Sequence, residues 1–317
     1  MKKTLALITT LVITLTVSLT GCGYKYKELD LRAKFDESLK GTTLTVYNWG
    51  EYISDGADGS MDVNKEFEKL TGIKVKYLNY VSNETMYSQL KSGGVSYDVI
   101  IPSDYMIERL IKEDMLKKID MSAISNYDLI DEKYKGLFFD EKEEYSVPYN
   151  VGMVGIVYNE ELTGKDIEHS WKVLWDEKYK DMALNFDNSR DAFMTAQMIL
   201  GQDVNTENKA DWDAAADLLK QGKKNLQDYV MDQVFSKMET GEASVAPYYA
   251  GDCLTMIDAN ESLKFFYPEE GTNIFVDSVC IPKNAKNVKA ALMYINFLLE
   301  PDVAVANAEY LGYASPN

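Results

Sequence analysis

Apolar positions along the chain switch between strand spacing and helix spacing. Residues 61–70 carry apolar side chains at helical spacing, whereas residues 73–77 alternate apolar side chains with lysines, as a half-buried strand does. Residues 97–101 form a nearly continuous apolar run, which is typical of a strand in a parallel sheet. Ser82 can cap a second helix, which Gly93 ends. Strands and helices alternating in this way predict a βαβαβ unit and an α/β fold with a mostly parallel sheet flanked by helices.

A second lobe is predicted from two further apolar segments. Residues 145–158 form a long apolar run, which we interpret as a strand crossing from the first lobe to a second. Residues 273–282 form another, the return crossing. Between these crossings, helical spacing predicts helices over residues 170–179, 192–200, 212–220 and 233–239. After the return, helices are predicted over 288–299 and from Pro301, since proline suits the first helical turn.

The amino terminus has the pattern of an export signal. Residues 1–21 begin with two lysines and continue as an uncharged apolar stretch too short to span a membrane as a helix. Leu-Thr-Gly-Cys at residues 19–22 is similar to a bacterial lipobox, which predicts a lipid on Cys22. The alternative is an ordinary signal peptide with an incidental cysteine. Residues 22–39 are charged and lack an apolar period, so we expect a tether to the folded domain.

Charge and composition narrow the class of function. The formal net charge of -18 disfavours nucleic acid and anionic lipid surfaces and favours cationic partners. His169 is the only histidine, and the chain offers no nucleophile–histidine set, no zinc-ligand spacing and no phosphate-binding glycine loop. We therefore expect a monomeric binding protein without cofactor or metal, and a carboxylate-pair glycosidase stays a formal alternative. Cys253 and Cys280 are either buried thiols or a disulfide.

Candidate ligand-binding residues follow two of the predicted strands. Trp49 and Tyr52 come at the end of the first strand, and Ser103 and Tyr105 come at the end of the strand over residues 97–101. In open α/β sheets, ligands bind beyond the carboxyl ends of strands, so these side chains are expected at one crevice. Flat aromatic faces with hydroxyl groups suit an organic cation.

Short motifs spread along the mature chain carry a resemblance to a known family. They are Tyr47-Asn48-Trp49, Thr71-Gly72-Ile73, Ser82-Asn83-Glu84-Thr85-Met86-Tyr87, Pro102-Ser103-Asp104-Tyr105, Tyr145-Ser146-Val147-Pro148-Tyr149, Val276-Asp277-Ser278, Ile295-Asn296-Phe297, Leu311-Gly312-Tyr313 and Ser315-Pro316-Asn317. The chain thus resembles the bacterial spermidine/putrescine-binding proteins, the extracytoplasmic subunits of ABC importers. The resemblance implies a two-lobed periplasmic-binding-protein fold of type II that closes on its ligand and delivers it to a membrane permease.

Domain limits combine the patterns with this resemblance. They place the first lobe at residues 40–148 and 273–317 and the second at 149–272. Family members usually continue for a few dozen residues beyond Ser-Pro-Asn, so a truncation is expected at Asn317.

The resemblance also implies further site residues. Asp277 matches the family's central acid and Tyr313 a tyrosine near its carboxyl end, while Tyr249 and Phe275 stand where the family often has tryptophan. In the loop over residues 187–191, Asp191 keeps one ligand acid, but Asn188 occupies the position of the other. Losing that acid is expected to blunt any preference for spermidine over putrescine.

The chemistry of a polyamine fits the same residues. Each buried ammonium group needs a carboxylate or several acceptors, and the methylenes between them need flat apolar surfaces. Asp191 and Asp277 with the aromatic residues provide both. Another cationic or neutral small solute is the remaining alternative among binding proteins.

Overall fold

The first lobe forms as a βαβαβ unit in a computed structural model that describes residues 29–317. Its elements in chain order are β1 (Thr43–Trp49), α1 (Val63–Thr71), β2 (Lys74–Tyr80), α2 (Asn83–Ser92), β3 (Val99–Ile100) and α3 (Asp104–Lys112). Capping residues define the ends of α1 and α2. The Thr85 amide donates to Ser82 Oγ at 3.1 Å at the start of α2, and Gly72 and Gly93 take the left-handed conformation after α1 and α2.

The second lobe follows a strand of 14 residues, β4 (Ser146–Asn159). The subsequent elements are α4 (Glu160–Thr163), β5 (Ala183–Phe186), α5 (Ser189–Ile199), α6 (Lys209–Gly222), β6 (Leu226–Val230), α7 (Gln233–Glu239), β7 (Val245–Tyr249), α8 (Ala250–Ala259) and β8 (Leu263–Phe266). The chain then returns through β9 (Ile274–Cys280) and closes the first lobe with α9 (Val288–Leu298) and α10 (Pro301–Leu311).

One strand path runs through both lobes in the order β2-β1-β3-β9-β4-β7-β5-β6, with β8 pairing on β4. The first part of β4, through Met153, pairs antiparallel with β9, and the part from Val154 onward pairs with β7 and β8. Parallel pairs join β1 to β2 and β3 in the first lobe, and β5 to β6 and β7 in the second. The α/β class and the crossing strands predicted from the sequence are confirmed.

The two crossing strands lie against each other at a glycine. A Cβ atom on Gly152 would sit 2.2 Å from Phe275 Cζ, so only glycine leaves room for that ring. Gly152 on β4 is paired in register with Phe275 on β9. The absence of a side chain therefore lets the Phe275 ring lie over the crossing between the lobes.

The segment before β1 is packed, which corrects part of the predicted tether. Leu31 and Phe35 pack against the core. The amides of Arg32 and Ala33 donate to the Glu300 carboxylate at 2.9 and 2.7 Å. Glu300 is only 1% exposed and precedes α10 without a side-chain capping bond, so these backbone bonds satisfy an otherwise costly buried carboxylate. Residues 29–39 thus belong to the folded unit, and residues 22–28 lie outside the described part.

Residues 170–179 are not the helix that the spacing predicts. They form two 3-10 turns, Trp171–Trp175 and Glu177–Tyr179. Asp176 has extended backbone angles, and its carboxylate accepts from the Lys178 amide at 2.9 Å. This local bond starts the second turn and interrupts helical propagation.

The two cysteines outside the export signal are buried free thiols, which decides between the alternatives left open by the sequence. Cys253 lies in α8 and not in a strand, and Cys280 ends β9. Within residues 29–317, no helix has the length and apolar character needed to cross a membrane.

Candidate functional site

A cavity of about 370 Å³ lies between the lobes. Every ligand-binding residue predicted from the sequence lines it, namely Trp49, Tyr52, Ser103, Tyr105, Asn188, Asp191, Tyr249, Phe275, Asp277 and Tyr313. They come from strand ends, helix starts and the crossing strands. The fold therefore brings side chains from both lobes to one cavity, among them the four that follow the ends of first-lobe strands.

Three aspartate–tyrosine pairs stand along this cavity. The Tyr52 hydroxyl donates to Asp277 Oδ2 at 2.8 Å, and the Tyr249 hydroxyl donates to Asp191 Oδ2 at 2.6 Å. In the third pair, Tyr313 donates to Asp252 Oδ2 at 3.0 Å. Burial raises the pKa of each tyrosine well above its usual value, so the hydroxyls stay protonated and donate. Each carboxylate is oriented by a neutral group that leaves its charge in place.

One oxygen of the buried Asp277 carboxylate lacks a hydrogen-bond partner among the described residues. Its side chain is 4% exposed, and Oδ1 has no hydrogen-bond partner among the described residues. Burial, together with the nearby carboxylates of Asp104 and Asp191, raises the pKa of Asp277 to about 7, although the nearby Ser103 hydroxyl and the hydrogen bond from Tyr52 oppose the shift. A buried, half-satisfied carboxylate of this kind favours binding of a cation.

The other two paired acids also have raised pKa values. Burial raises the pKa of Asp191 to about 6 against the opposing hydrogen bond from Tyr249. Burial also raises the pKa of Asp252 to about 7 against the hydrogen bond from Tyr313. No ion pair in the part of the chain that the structure describes includes any of the three acids. Arg190 also lines the cavity and its charge opposes the raised pKa of Asp191, but it does not form an ion pair with any of these acids.

Aromatic rings form the walls between these acids. Tyr52 and Tyr313 meet edge to face with ring centroids 5.2 Å apart, and Tyr249 and Phe275 do so at 5.5 Å. Trp49 is fixed by its indole N–H, which donates to the Ile101 carbonyl at 3.0 Å. Such fixed rings offer apolar surface and π-faces without further ordering.

Asn188 is held as a structural cap. Its Oδ1 accepts from the Arg190 amide at 3.1 Å at the start of α5. Its Nδ2 donates to Asp191 Oδ2 at 2.8 Å. Both ends of the amide are therefore engaged inside the protein.

Ser103 and Tyr105 are joined by a buried amide of the first lobe. Asn83 Nδ2 donates to Ser103 Oγ at 3.0 Å and to the Tyr105 hydroxyl at 3.1 Å. The Tyr105 hydroxyl donates in turn to Glu84 Oε1 at 3.1 Å. The start of α2 thereby positions the aromatic wall at the start of α3.

Other acids that line the cavity escaped the sequence analysis. Asp252 lies one helical turn after Tyr249, and Asp104 lies between two predicted site residues. Asp232 and Glu51 complete the set. Glu51 likewise lies between the predicted residues Trp49 and Tyr52, so the sequence offered a local signal for Asp104 and Glu51. Asp252 had none, since α8 was not predicted and the Asp252–Tyr313 pair joins residues 61 apart in sequence.

A family model for bacterial extracellular solute-binding proteins matches residues 96–317. The chain belongs to this family. The spermidine/putrescine-binding periplasmic protein of Salmonella typhimurium is 37% identical over 276 residues, which cover 87% of this chain and 78% of that protein. The putrescine-binding periplasmic protein PotF of Escherichia coli is 29% identical, with the same shares of both chains covered.

Solved structures of similar proteins agree with the fold. A putative spermidine/putrescine ABC transporter protein from Listeria monocytogenes is 38% identical and superposes with a TM-score of 0.81, covering 87% of this chain and 84% of that one. The PotD substrate-binding protein of Streptococcus pneumoniae is 34% identical with a TM-score of 0.71, covering 87% and 83%. These likenesses confirm the predicted resemblance and the periplasmic-binding-protein fold.

Proposed function

We propose that this protein captures a polyamine, putrescine or spermidine, in the cavity between its lobes and delivers it to an ABC importer. It belongs to a family of solute-binding proteins, which are not enzymes. The supporting relatives are named for spermidine and putrescine. The chemistry of the cavity supports the same class of ligand.

The observation that most directly supports a cationic ligand is the buried Asp277 carboxylate, whose Oδ1 atom has no hydrogen-bond partner among the described residues. A neutral solute would leave this carboxylate uncompensated, and an anion would be repelled by it. An ammonium group supplies hydrogen-bond donors and positive charge together. Asp191 and Asp252 offer two more acceptors of the same kind, so a ligand with spaced ammonium groups satisfies the whole set.

Each part of the proposed site has a role in this arrangement. Asp277 is assigned to one ammonium group of the ligand, and Asp191 and Asp252 offer carboxylates to the remaining one or two. Their tyrosine partners orient the carboxylates. Methylene groups lie against rings, and the proposed apolar contacts are Trp49, Tyr105, Tyr249 and Phe275. Ser103 supplies a hydroxyl beside the central acid.

Calorimetric titration tests this proposal with putrescine, spermidine, a neutral sugar and an anionic amino acid. We expect heat only with the polyamines, a raised melting temperature in their presence, and recovery of the ligand unchanged. Binding of the sugar with no response to either polyamine would refute the proposal. Conversion of any ligand into a product would point to the glycosidase alternative instead.

The location and partners of the protein are part of the same proposal. We infer an extracytoplasmic monomer held by a lipid on Cys22 and presented to a membrane permease. Cys22 and the signal at residues 1–21 lie outside the described residues. Fractionation of cells expressing the full chain tests the anchor, because Cys22→Ala is expected to move the protein from the membrane to the soluble fraction. Unchanged membrane association would refute the lipid assignment.

A further inference from the structure

Two contacts cross the cleft beside the ligand cavity. The guanidinium carbon of Arg190 in the second lobe lies 5.6 Å from the centre of the Tyr105 ring in the first. The Ser189 hydroxyl donates to Glu84 Oε1 at 3.3 Å across the same gap. Because α5 carries one side and α2 and α3 the other, these contacts form only when the lobes come together.

Contacts within the second lobe hold the Arg190 side chain in place. Its Nη2 donates to Asn205 Oδ1 at 2.8 Å, and its guanidinium lies 5.8 Å from the centre of the Trp212 ring. Trp212 is held in turn, since its indole N–H donates to the Thr206 carbonyl at 2.8 Å. Contacts within the second lobe therefore hold the guanidinium in a position where it can contact the Tyr105 ring of the first lobe.

The first lobe presents a matching surface. Asn83 and Glu84 hold the Tyr105 hydroxyl from two sides, at 3.1 Å each. This fixes the plane of the ring that receives Arg190. Glu84 also accepts the bond from Ser189, so one short stretch of α2 supports both contacts across the cleft.

A cation at this position needs an explanation, because it opposes binding of a cationic ligand. Arg190 belongs to no ion pair within residues 29–317. The charge of Arg190 opposes the raised pKa of Asp104 and of Asp191, but among the described residues its side-chain contacts are Asn205 and two aromatic rings. Its geometry is that of a bridge between the lobes.

We propose that Arg190 is a positioning residue that latches the lobes closed over the ligand by resting on Tyr105. The inference builds on the proposed function, because Arg190 immediately precedes Asp191 in the first turn of α5. A ligand that engages Asp191 holds this turn in place and so keeps the guanidinium over the ring. The latch adds to the lifetime of the closed complex without depending on which polyamine is inside.

Two substitutions separate the latch from a simple charge effect. Arg190→Met removes the charge and keeps an unbranched side chain, whereas Arg190→Lys keeps the cation. The matched control is Arg109→Met, since Arg109 lies 3.9 Å from the Tyr87 ring centre entirely within the first lobe. Affinity and dissociation rate are measured for putrescine and spermidine, and small-angle scattering measures the radius of gyration without ligand.

With Arg190→Met, we expect both ligands to bind more weakly by the same factor, about 2- to 30-fold. The loss should appear in the dissociation rate, and the ligand-free protein should be more open than wild type. Lysine should restore much of the effect, and Arg109→Met should change neither quantity.

Two results would overturn the latch. Unchanged affinity and unchanged scattering would mean that Arg190 does not bridge the lobes. Tighter binding, with more gain for spermidine than for putrescine, would mean that Arg190 only repels the ligand. Failure of wild type to bind either polyamine would refute the proposed function separately, and the scattering comparison would still decide the latch.

Discussion

Tyr313 lies against Gly251 so closely that the glycine has no room for a side chain. A Cβ atom there would be 2.5 Å from two carbons of the Tyr313 ring. The same tyrosine donates its hydroxyl to Asp252, the next residue. The segment after α10 is thereby fitted onto the start of α8, and one acid of the cavity depends on this fit.

Replacing Gly251 by alanine tests that dependence. We expect a loss of stability of about 1–3 kcal/mol from overpacking and weaker polyamine binding, because the displaced ring no longer orients Asp252. Chemical denaturation and calorimetric titration measure the two effects. Gly94→Ala is the control, since a Cβ there meets only Ser92 Oγ at 3.9 Å. Equal behaviour of the two variants would contradict the fit.

Asp277→Ala removes the proposed central partner of the ligand. Breaking a buried charge pair costs about 3–5 kcal/mol, so affinity should fall at least about a hundredfold. The fold should persist, because the ligand-free protein loses a poorly satisfied buried carboxylate. Titration and circular dichroism measure both outcomes, with Asp217→Ala on the surface of α6 as control. Near-normal binding by a folded Asp277→Ala protein would show that the site lies elsewhere.

Asn188→Asp tests the weak discrimination expected from the missing acid. An aspartate can still cap α5, but it places a second carboxylate beside Asp191 where an amide now donates. We expect a higher pKa for Asp191 and a shift of the affinity ratio toward spermidine, whose extra ammonium can bridge the two acids. Titration of both ligands against both proteins measures the ratio. A strong preference for spermidine in wild type, unchanged by the substitution, would place selectivity on other residues.

Affinity for a polyamine should depend on pH between about pH 5 and about pH 8. Asp191, Asp252 and Asp277 have pKa values raised to about 6, 7 and 7, whereas alkylammonium groups like that of lysine titrate near about pH 10. Below the raised values the acids are protonated and cannot pair with ammonium, so affinity falls as pH falls. Titration in buffers of different ionisation enthalpy should show proton release at neutral pH. A flat profile would mean that these acids are already ionised without ligand.

In the ligand-free protein, the same acids make the free energy of unfolding decrease as pH rises. Their folded-state pKa values lie above those of unfolded aspartate, so the folded state binds more protons between about pH 4 and about pH 7. Their contribution to stability is therefore greatest at the acidic end of this window and is lost as pH rises. Melting temperatures across this window, for wild type and Asp277→Asn, measure that slope, which should be shallower in the variant. Equal slopes would contradict the assignment.

Local signals explain how much of the fold the sequence predicts. Ser82 and Gly93 fix the ends of α2 by side-chain capping and a left-handed turn, and both act within a few residues. The short strands β5 and β6 escaped prediction, because neither alternates apolar and polar side chains along its length. Residues 170–179 have apolar spacing that suits a helix, yet a single aspartate cap divides them.

Long-range pairing explains what was missed in the site. Trp49, Ser103 and Tyr105 follow strands, so their place could be inferred from the chain. Asp252 became visible only when α8 brought it to Tyr313. The capping role of Asn188 likewise depends on where its amide points, which composition does not encode.

The position of Asp277 sets an order of events in ligand capture. It lies in β9 opposite Asn150 of β4, within the paired strands that cross between the lobes. If the lobes open by bending at this ribbon, its residues move least. We therefore expect Asp277 to stay at the base of the open cleft and to contact an arriving cation there before the second lobe closes. Asp191 and Asp252 lie in the second lobe and would reach the ligand on closure, so one carboxylate would receive the ligand and others would retain it.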